Sequence, residues 1–238
     1  MTDVHSHILF GVDDGSKSIK ESITLLKRLK EVGFNNVILT PHYIEGSDYC
    51  SLNEEKLEKI NILREAIKEN NLKINVYLGN EIFINDDIID LIKDGSIYPI
   101  NNGRHLLIEL PFHNKILNLE DIMYEISLAG YVPVIAHPER YDYFQEEPEL
   151  VDSLRENGVM FQSNYASILG YYGKKAKKLL NYMLKNKYID YLGTDIHHAK
   201  KTYVIDNFKK IEKKIIKVAG EDYYKNIISN GNKLVKGD

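Results

Sequence analysis

Two short motifs in the sequence place metal-binding side chain types two residues apart. They are His5-Ser6-His7 near the amino terminus and Asp195-Ile196-His197 near the carboxyl terminus. Residues i and i+2 of a β-strand point to the same face, so both polar side chains of each motif can reach one ion. Imidazole nitrogens combined with carboxylate oxygens suit manganese, iron or zinc. The motifs therefore predict a metal site.

Residues of the same types follow other apolar runs. Six predicted strands run into a histidine or a carboxylate, and five of the eight histidines lie at such positions. Parallel α/β barrels carry their sites at the carboxyl ends of the strands. Because one ion needs roughly four to six ligands, a set of about nine predicts two or three ions. The candidates are His5, His7, Asp13 or Asp14, His42, Glu81, Glu109, His137, Asp195 and His197. We interpret the others, His105, His113 and His198, as surface or core residues.

A scaffold must bring these distant segments to one rim. Short β-rich runs alternate with runs of helical periodicity in about seven βα units, an order typical of a parallel sheet. No glycine-rich phosphate loop is present, which favours a closed barrel over an open doubly wound sheet. We expect an α/β fold, a TIM-like (β/α)7 barrel, with residues 1–238 as a single domain. The predicted strands are 4–8, 36–39, 74–78, 106–109, 132–136, 160–164 and 189–193.

Helix starts are indicated by two Ser-x-x-Glu sequences with the form of capping boxes, at Ser18–Glu21 and Ser51–Glu54. Each precedes an apolar stripe at helical spacing. The first stripe is Ile19, Ile23, Leu26 and Leu29, and the second is Leu57, Ile60, Leu63 and Ile67. Further helices are predicted at 88–92, 119–128, from about 148, at 174–184 and at 208–218.

The composition narrows the class of partner and the compartment. The 238 residues carry a formal charge of −4, which excludes the strong basic field that binds nucleic acid in bulk. We interpret the lysines at 174–178 and 209–217 as solvated faces. The single cysteine, Cys50, allows no internal disulfide and fits a reducing compartment. Neither a signal peptide nor an apolar run of about 20 residues is evident, so we expect a cytoplasmic protein without membrane insertion. The oligomeric state is not indicated.

The combined motifs resemble the PHP (polymerase and histidinol phosphatase) superfamily over almost the whole chain. Within it, the segment from His5 to Gly15, together with His137 to Tyr141, is similar to the bacterial CpsB/YwqE-type manganese-dependent protein-tyrosine phosphatases. The resemblance implies a distorted seven-stranded barrel with three metal ions. The motifs that carry it are Asp3-Val4-His5-Ser6-His7, Thr40-Pro41-His42, Glu81, Glu109, Ala136-His137-Pro138-Glu139-Arg140-Tyr141 and Asp195-Ile196-His197.

The resemblance also implies roles for individual residues, and it selects Asp14 rather than Asp13 as a ligand. A hydroxide bridging the metals would attack phosphorus, while Arg140 binds phosphate oxygens through its planar guanidinium. Relatives tend to carry an arginine after Asp-x-His, where this chain has Lys200 and Lys201. The implied ligand groups are His5, His7 and Asp195 with Glu81 as a bridge, then Glu81, Glu109 and His137, and finally Asp14, His42 and His197.

The implied substrate is a phosphotyrosine-bearing protein, a tyrosine autokinase of capsule or exopolysaccharide regulation. Two alternatives stay open: a histidinol-phosphatase-like enzyme for a small molecule, and a metal-bearing regulatory binding module. Arg140 could instead form a structural salt bridge with Glu139 or a neighbouring acid. Cys50 lacks the Cys-x5-Arg loop of cysteine phosphatases, which disfavours a cysteinyl-phosphate route.

Overall fold

Parallel strands alternate with helices along the computed structural model, which describes residues 1–85 and 87–236. The described strands form two sheets, with strand orders β1-β2-β4 and β3-β5-β6-β7-β8-β9, and each pair of neighbours is parallel. The strands are β1 (Thr2–Asp3), β2 (Asn36–Leu39), β3 (His42–Tyr43), β4 (Asn75–Leu78), β5 (Glu81–Phe83), β6 (His105–Glu109), β7 (Val132–Ala136), β8 (Met160–Asn164) and β9 (Tyr191–Gly193).

Helices connect the strands and cover the sheets. The bounds in the described parts of the chain are α1 (Ile19–Glu31), α2 (Asn53–Glu69), α3 (Ile88–Lys93), α4 (Leu119–Leu128), α5 (Asp142–Glu146), α6 (Glu149–Glu156), α7 (Lys174–Lys185), α8 (Tyr203–Asp206), α9 (Phe208–Ala219) and α10 (Glu221–Lys233). Three short 3-10 turns lie at Ile100–Asn102, Pro138–Arg140 and Tyr165–Leu169. Among these described helices, none is both long and apolar enough to cross a membrane.

The edges of the two sheets meet at a seam beside β1 and β9. Ser6 and Ile196 form an isolated parallel bridge, and the His7 N–H donates to the Ile196 carbonyl at 2.9 Å. The Asp3 carboxylate crosses the seam and accepts the Thr194 N–H at 2.8 Å. The result is a mixed α/β fold with a curled parallel sheet, as the alternating sequence pattern predicts.

Strand boundaries differ from the prediction at the first strand and at two interruptions. The first strand was expected at 4–8, but regular pairing covers only Thr2–Asp3, after which the chain contributes the single bridge at Ser6. Two residues separate β2 from β3, and two separate β4 from β5. The structure therefore has nine described strands where about seven were expected.

The two capping predictions have different outcomes. The Ser18 hydroxyl accepts the Glu21 N–H at the start of α1, which confirms the first helix start, although the Glu21 carboxylate accepts the Lys17 N–H instead of the Ser18 N–H. The second is wrong, because α2 begins after Leu52 and no side chain caps it. Its buried stripe also starts at Lys56 instead of Leu57, which is exposed. The Lys56 ammonium donates to the Asn80 side-chain oxygen at 3.1 Å, so a polar partner inside the protein satisfies this lysine.

Helix α10 was not predicted, and its buried face includes Gly231. The structure explains the glycine by close packing against the first strand segment. A Cβ at position 231 would lie 3.2 Å from a methyl carbon of Val4. Tertiary contact thus overrides the low helix propensity of glycine.

The ion pair between Arg155 and Asp190 should contribute to stability, because Asp190 is mostly buried and makes two contacts with the guanidinium, at 2.6 and 3.1 Å. An Arg155→Ala substitution leaves that carboxylate without its cation. We expect the free energy of unfolding to fall by about 2 kcal/mol, measured by urea denaturation.

Lys68→Ala is the matched control, since Lys68 pairs with Glu65 on an exposed helix face. Exposed pairs of this kind contribute little, so this variant should stay within about 0.5 kcal/mol of the parent. Equal effects of the two substitutions would contradict the structural role of Arg155.

Candidate metal centre

The nine ligand candidates meet at the carboxyl ends of the parallel strands. Seven of them line a cavity of about 380 Å³ together with Arg140, while His5 and His7 are fully buried and do not line it. The structure therefore brings together every ligand that the resemblance implies. The seven are Asp14, His42, Glu81, Glu109, His137, Asp195 and His197.

Two of these residues adopt left-handed backbone conformations, His137 with φ 31° and Asp195 with φ 52°. His137 directly follows β7, and Asp195 lies two residues after the end of β9. Residues other than glycine rarely adopt positive φ, and such conformations cluster at functional sites. The local backbone is thus under strain at two points of the rim.

Glu81, the first residue of β5, lies at the middle of the cluster. Its Oε2 is 3.2 Å from Nε2 of His5, 3.2 Å from Nε2 of His7 and 3.0 Å from Nδ1 of His42. Its other oxygen, Oε1, is 2.8 Å from Nε2 of His137. One buried carboxylate therefore contacts four imidazole rings.

Contacts behind the rings of His5 and His7 determine which nitrogen faces the centre. The Nδ1 of His5 lies 2.8 Å from the Gln162 side-chain oxygen, and the Nδ1 of His7 lies 2.7 Å from Asp13. Both partners are acceptors, so in the neutral form of each ring Nδ1 donates its proton and leaves a lone pair on Nε2. The two Nε2 atoms are only 3.1 Å apart. Facing lone pairs repel each other, and a cation bound by both nitrogens would remove this repulsion.

Three sets of these side chains have ligand atoms close enough to share an ion. They overlap with the three groups implied by the resemblance, but Asp195 and His137 belong to none of them, and His7, His42 and Glu81 each belong to two. The Oδ1 of Asp195 lies 3.6 Å from Nε2 of His7, near the second set. The sets are His7, Asp14, His42 and His197; His5, His7 and Glu81; and His42, Glu81 and Glu109.

The buried acids and histidines of the cluster do not balance one another's charge without a further positive charge. Burial and repulsion from Glu81 raise the pKa of Glu109 to about 8. Burial lowers the pKa of His137 to about 4. Burial also opposes the charged form of His5, but the carboxylates of Glu81 and Asp195 together outweigh it and raise the pKa of His5 to about 8. Neighbouring buried groups are therefore pushed towards opposite charge states. The donor set and its charge fit divalent cations.

Arg140 lies at the edge of the cluster between two aromatic rings. Its Cζ is 4.8 Å from the ring centroid of Phe112 and 4.6 Å from that of Tyr172. Its Nη1 donates to Asp195 at 2.8 Å. The alternative pairing with Glu139 is wrong, because that side chain points away and accepts from the Asn164 N–H. Arg140 does form an ion pair, with an acid 55 residues further along the chain.

Sequence reasoning missed two side chains that orient the candidate ligands, Gln162 and Asn164, and it considered Asp13 only as a possible ligand, whereas Asp13 contacts the outer nitrogen of His7. Asn164 donates to Oδ2 of Asp195 at 2.7 Å and accepts from Gln162 at 3.1 Å. A usable pattern was present, since Gln162-Ser163-Asn164 at the end of β8 repeats the i, i+2 spacing of His5 and His7. A search for histidines and carboxylates alone passed over amides.

The remaining candidates lie at different places. Lys201 lines the cavity, whereas Lys200 is exposed outside it. His198 also lines the cavity, so its interpretation as an ordinary surface residue is incomplete. His113 pairs with Asp142 at 2.7 Å on the exposed surface.

Comparisons with known proteins agree with this geometry. Residues 1–236 match the family model described as capsular polysaccharide synthesis, CpsB/CapC. CapC from Staphylococcus aureus is 36% identical over 83% of this chain and 77% of its own length. The tyrosine-protein phosphatase YwqE from Bacillus subtilis is 31% identical over 84% of this chain and 78% of its own length.

Solved structures share the fold. A chain from the crystal structures of YwqE from Bacillus subtilis and CpsB from Streptococcus pneumoniae, described as unique metal-dependent tyrosine phosphatases, has a TM-score of 0.88. It is 26% identical, with coverage of 100% of this chain and 95% of that one. A histidinol phosphate phosphatase from Lactococcus lactis, solved with zinc, L-histidinol and phosphate, shares the fold at a TM-score of 0.56 and 18% identity over 90% of this chain and 93% of its own. The family match over nearly the whole sequence shows that the chain belongs to the CpsB/CapC family of capsular polysaccharide synthesis.

Proposed function

We propose that this chain is a metal-dependent protein-tyrosine phosphatase. The observation that carries the proposal is the buried group of four imidazoles around Glu81, with Arg140 beside it. The rim is open, since Tyr171 is 49% exposed and the Asp14 side chain 48%. An open rim suits a phosphorylated side chain on a protein better than an enclosed small molecule. The phosphatase names of the relatives support the same activity.

The proposed cofactors are two or three divalent ions, with manganese preferred and iron or zinc as alternatives. Bound ions of this kind supply an acidic water for attack near neutral pH and neutralise phosphate oxygens. Arg140 supplies two parallel N–H donors that match the equatorial oxygens of a phosphoryl group. The proposed ligands are His5, His7, Asp14, His42, Glu81, Glu109, His137, Asp195 and His197.

The aromatic contacts of Arg140 support its role in binding phosphate. The rings of Phe112 and Tyr172 both contact the guanidinium of Arg140, and they restrict the motion of a side chain that otherwise has many rotamers. A restricted guanidinium loses less entropy when phosphate binds. Lys201, on the same cavity wall, would add a second positive charge.

We further infer that the curled sheet is a seven-unit barrel and that the chain is one phosphatase domain. Strands β2 and β3 are two parts of one crossing, as are β4 and β5, because only two residues separate the parts. Counted in this way, the nine strands make seven crossings. The Ser6–Ile196 bridge supports closure of the first crossing onto the last.

The proposed partner is a phosphotyrosine-bearing protein, specifically a tyrosine autokinase in capsule or exopolysaccharide regulation, and the proposed location is the cytoplasm. The family description, which refers to capsular polysaccharide synthesis, supports this setting. The net charge of −4 gives no reason to add nucleic acid as a partner.

The function can be tested by phosphate release from two substrates, a phosphotyrosine peptide and L-histidinol phosphate. The protein would be stripped with a chelator and reloaded with manganese, iron or zinc. We expect metal-dependent hydrolysis, with kcat/KM at least about tenfold higher for the peptide. A difference of about 1.4 kcal/mol in binding free energy is enough to give this factor of ten. His5→Ala should bind less metal and lose activity while keeping its circular dichroism spectrum. If no phosphate were released with any of the metals, the phosphatase activity would be refuted. A higher kcat/KM for histidinol phosphate would refute phosphotyrosine as the substrate.

Arg140→Ala tests the phosphate-binding role. We expect kcat/KM for the phosphotyrosine peptide to fall by roughly 10²-fold, because a charge-stabilising donor is lost, with metal content unchanged by elemental analysis. Arg104→Ala is the control, since Arg104 is exposed and donates to the Gly130 carbonyl outside the cavity. Unchanged turnover of Arg140→Ala would exclude this residue from the mechanism.

Asp13→Asn tests the contact that orients His7. An amide can offer its donor face to Nδ1 and favour the wrong tautomer, so affinity for Mn²⁺ should fall by about 10- to 100-fold in a calorimetric titration. Asp222 is an exposed aspartate on α10, so the control variant Asp222→Asn should bind Mn²⁺ with the affinity of the parent protein. Equal affinities of both variants would contradict the orienting role.

A further inference from the structure

One wall of the cavity is built from aromatic rings that no ligand group requires. Tyr171 follows the 3-10 turn Tyr165–Leu169, and Tyr203 begins α8. Their rings stack with centroids 4.8 Å apart and an interplanar angle of 26°. The two residues come from the segments that follow β8 and β9, so tertiary structure alone brings them together.

The stacked pair continues inward to the guanidinium of Arg140. Tyr171 makes an edge contact with Tyr172 at 5.0 Å, and Tyr172 lies 4.6 Å from Cζ of Arg140. An aromatic surface thus extends from the candidate phosphate-binding group to the rim.

Both rings keep accessible surface at the rim, with exposures of 49% for Tyr171 and 36% for Tyr203. Exposed aromatic surface beside a polar cavity is able to receive another ring, since aromatic pairs gain energy beyond simple burial. In an aryl phosphate, the ring is joined to phosphorus through a single ester oxygen. A phosphoryl group held at Arg140 therefore brings the ring close to this wall, whereas an alkyl ester offers no aromatic face.

We propose that Tyr171 and Tyr203 form a platform for the aromatic ring of the substrate, which makes the site selective for aryl over alkyl phosphate monoesters. The inference rests on the proposed function, and it names residues that determine specificity at the same site. The ligand groups and Arg140 recognise the phosphoryl group, and the platform recognises what is attached to it.

The test compares the binding of phenylphosphonate and methylphosphonate, two probes that are not hydrolysed, to the manganese-loaded protein by calorimetry. We expect the parent protein to bind phenylphosphonate more tightly. Tyr171→Ala and Tyr203→Ala should each weaken phenylphosphonate binding roughly threefold to tenfold and leave methylphosphonate binding unchanged. The phenylalanine variants at both positions should bind like the parent, because they keep the ring.

Tyr124→Ala is the matched control, since Tyr124 is 64% exposed on α4 and does not line the cavity. Circular dichroism and metal content should be unchanged in all variants. The platform would be refuted if the alanine variants lost affinity for both probes equally or for neither. It would also be refuted if the phenylalanine variants bound phenylphosphonate as weakly as the alanine variants, or if the parent did not bind phenylphosphonate. Selective binding without hydrolysis of any phosphoester would refute the phosphatase function and leave the platform intact.

Discussion

The contact of Glu81 with four imidazole rings is the interaction on which the rest of the site depends. Its two oxygens lie between 2.8 and 3.2 Å from nitrogens of four histidines, which come from three segments: after β1, at the start of β3 and after β7. Charges interact strongly in a buried environment of low dielectric constant, so displacing any one ring changes the environment of the others. The interruption between β4 and β5 lets this side chain enter the centre, because Glu81 is the first residue after the break.

A second layer of hydrogen bonds holds the rings in productive orientations. Asp13 and Gln162 accept from the outer nitrogens of His7 and His5, so that the inner nitrogens carry lone pairs when the rings are neutral. The seam between β1 and β9 is also closely packed, since a Cβ on Gly193 would lie 2.5 Å from the Cβ of His5. Backbone strain at His137 and at Asp195 is tolerated because this packing constrains the strand ends.

Arg140 connects the buried centre to the open rim. It donates to Asp195 on one side and packs between Phe112 and Tyr172 on the other. Polar groups proposed to act on phosphorus are therefore separated from aromatic groups that can contact the rest of a substrate. This separation explains how one scaffold can keep its phosphoryl chemistry while its substrate range depends on rim residues such as Tyr171.

The sequence by itself determined the ligand types and their common location, because parallel strands place their carboxyl ends on one side and His-x-His spacing points two rings one way. Tertiary structure alone decided which polar groups stand behind those ligands. Residue types do not show that Asp13 supports His7, that Lys56 is buried instead of Leu57, or that Gly231 packs on Val4. Each of these outcomes depends on contacts between segments far apart in the chain, and local periodicity contains no information about such contacts.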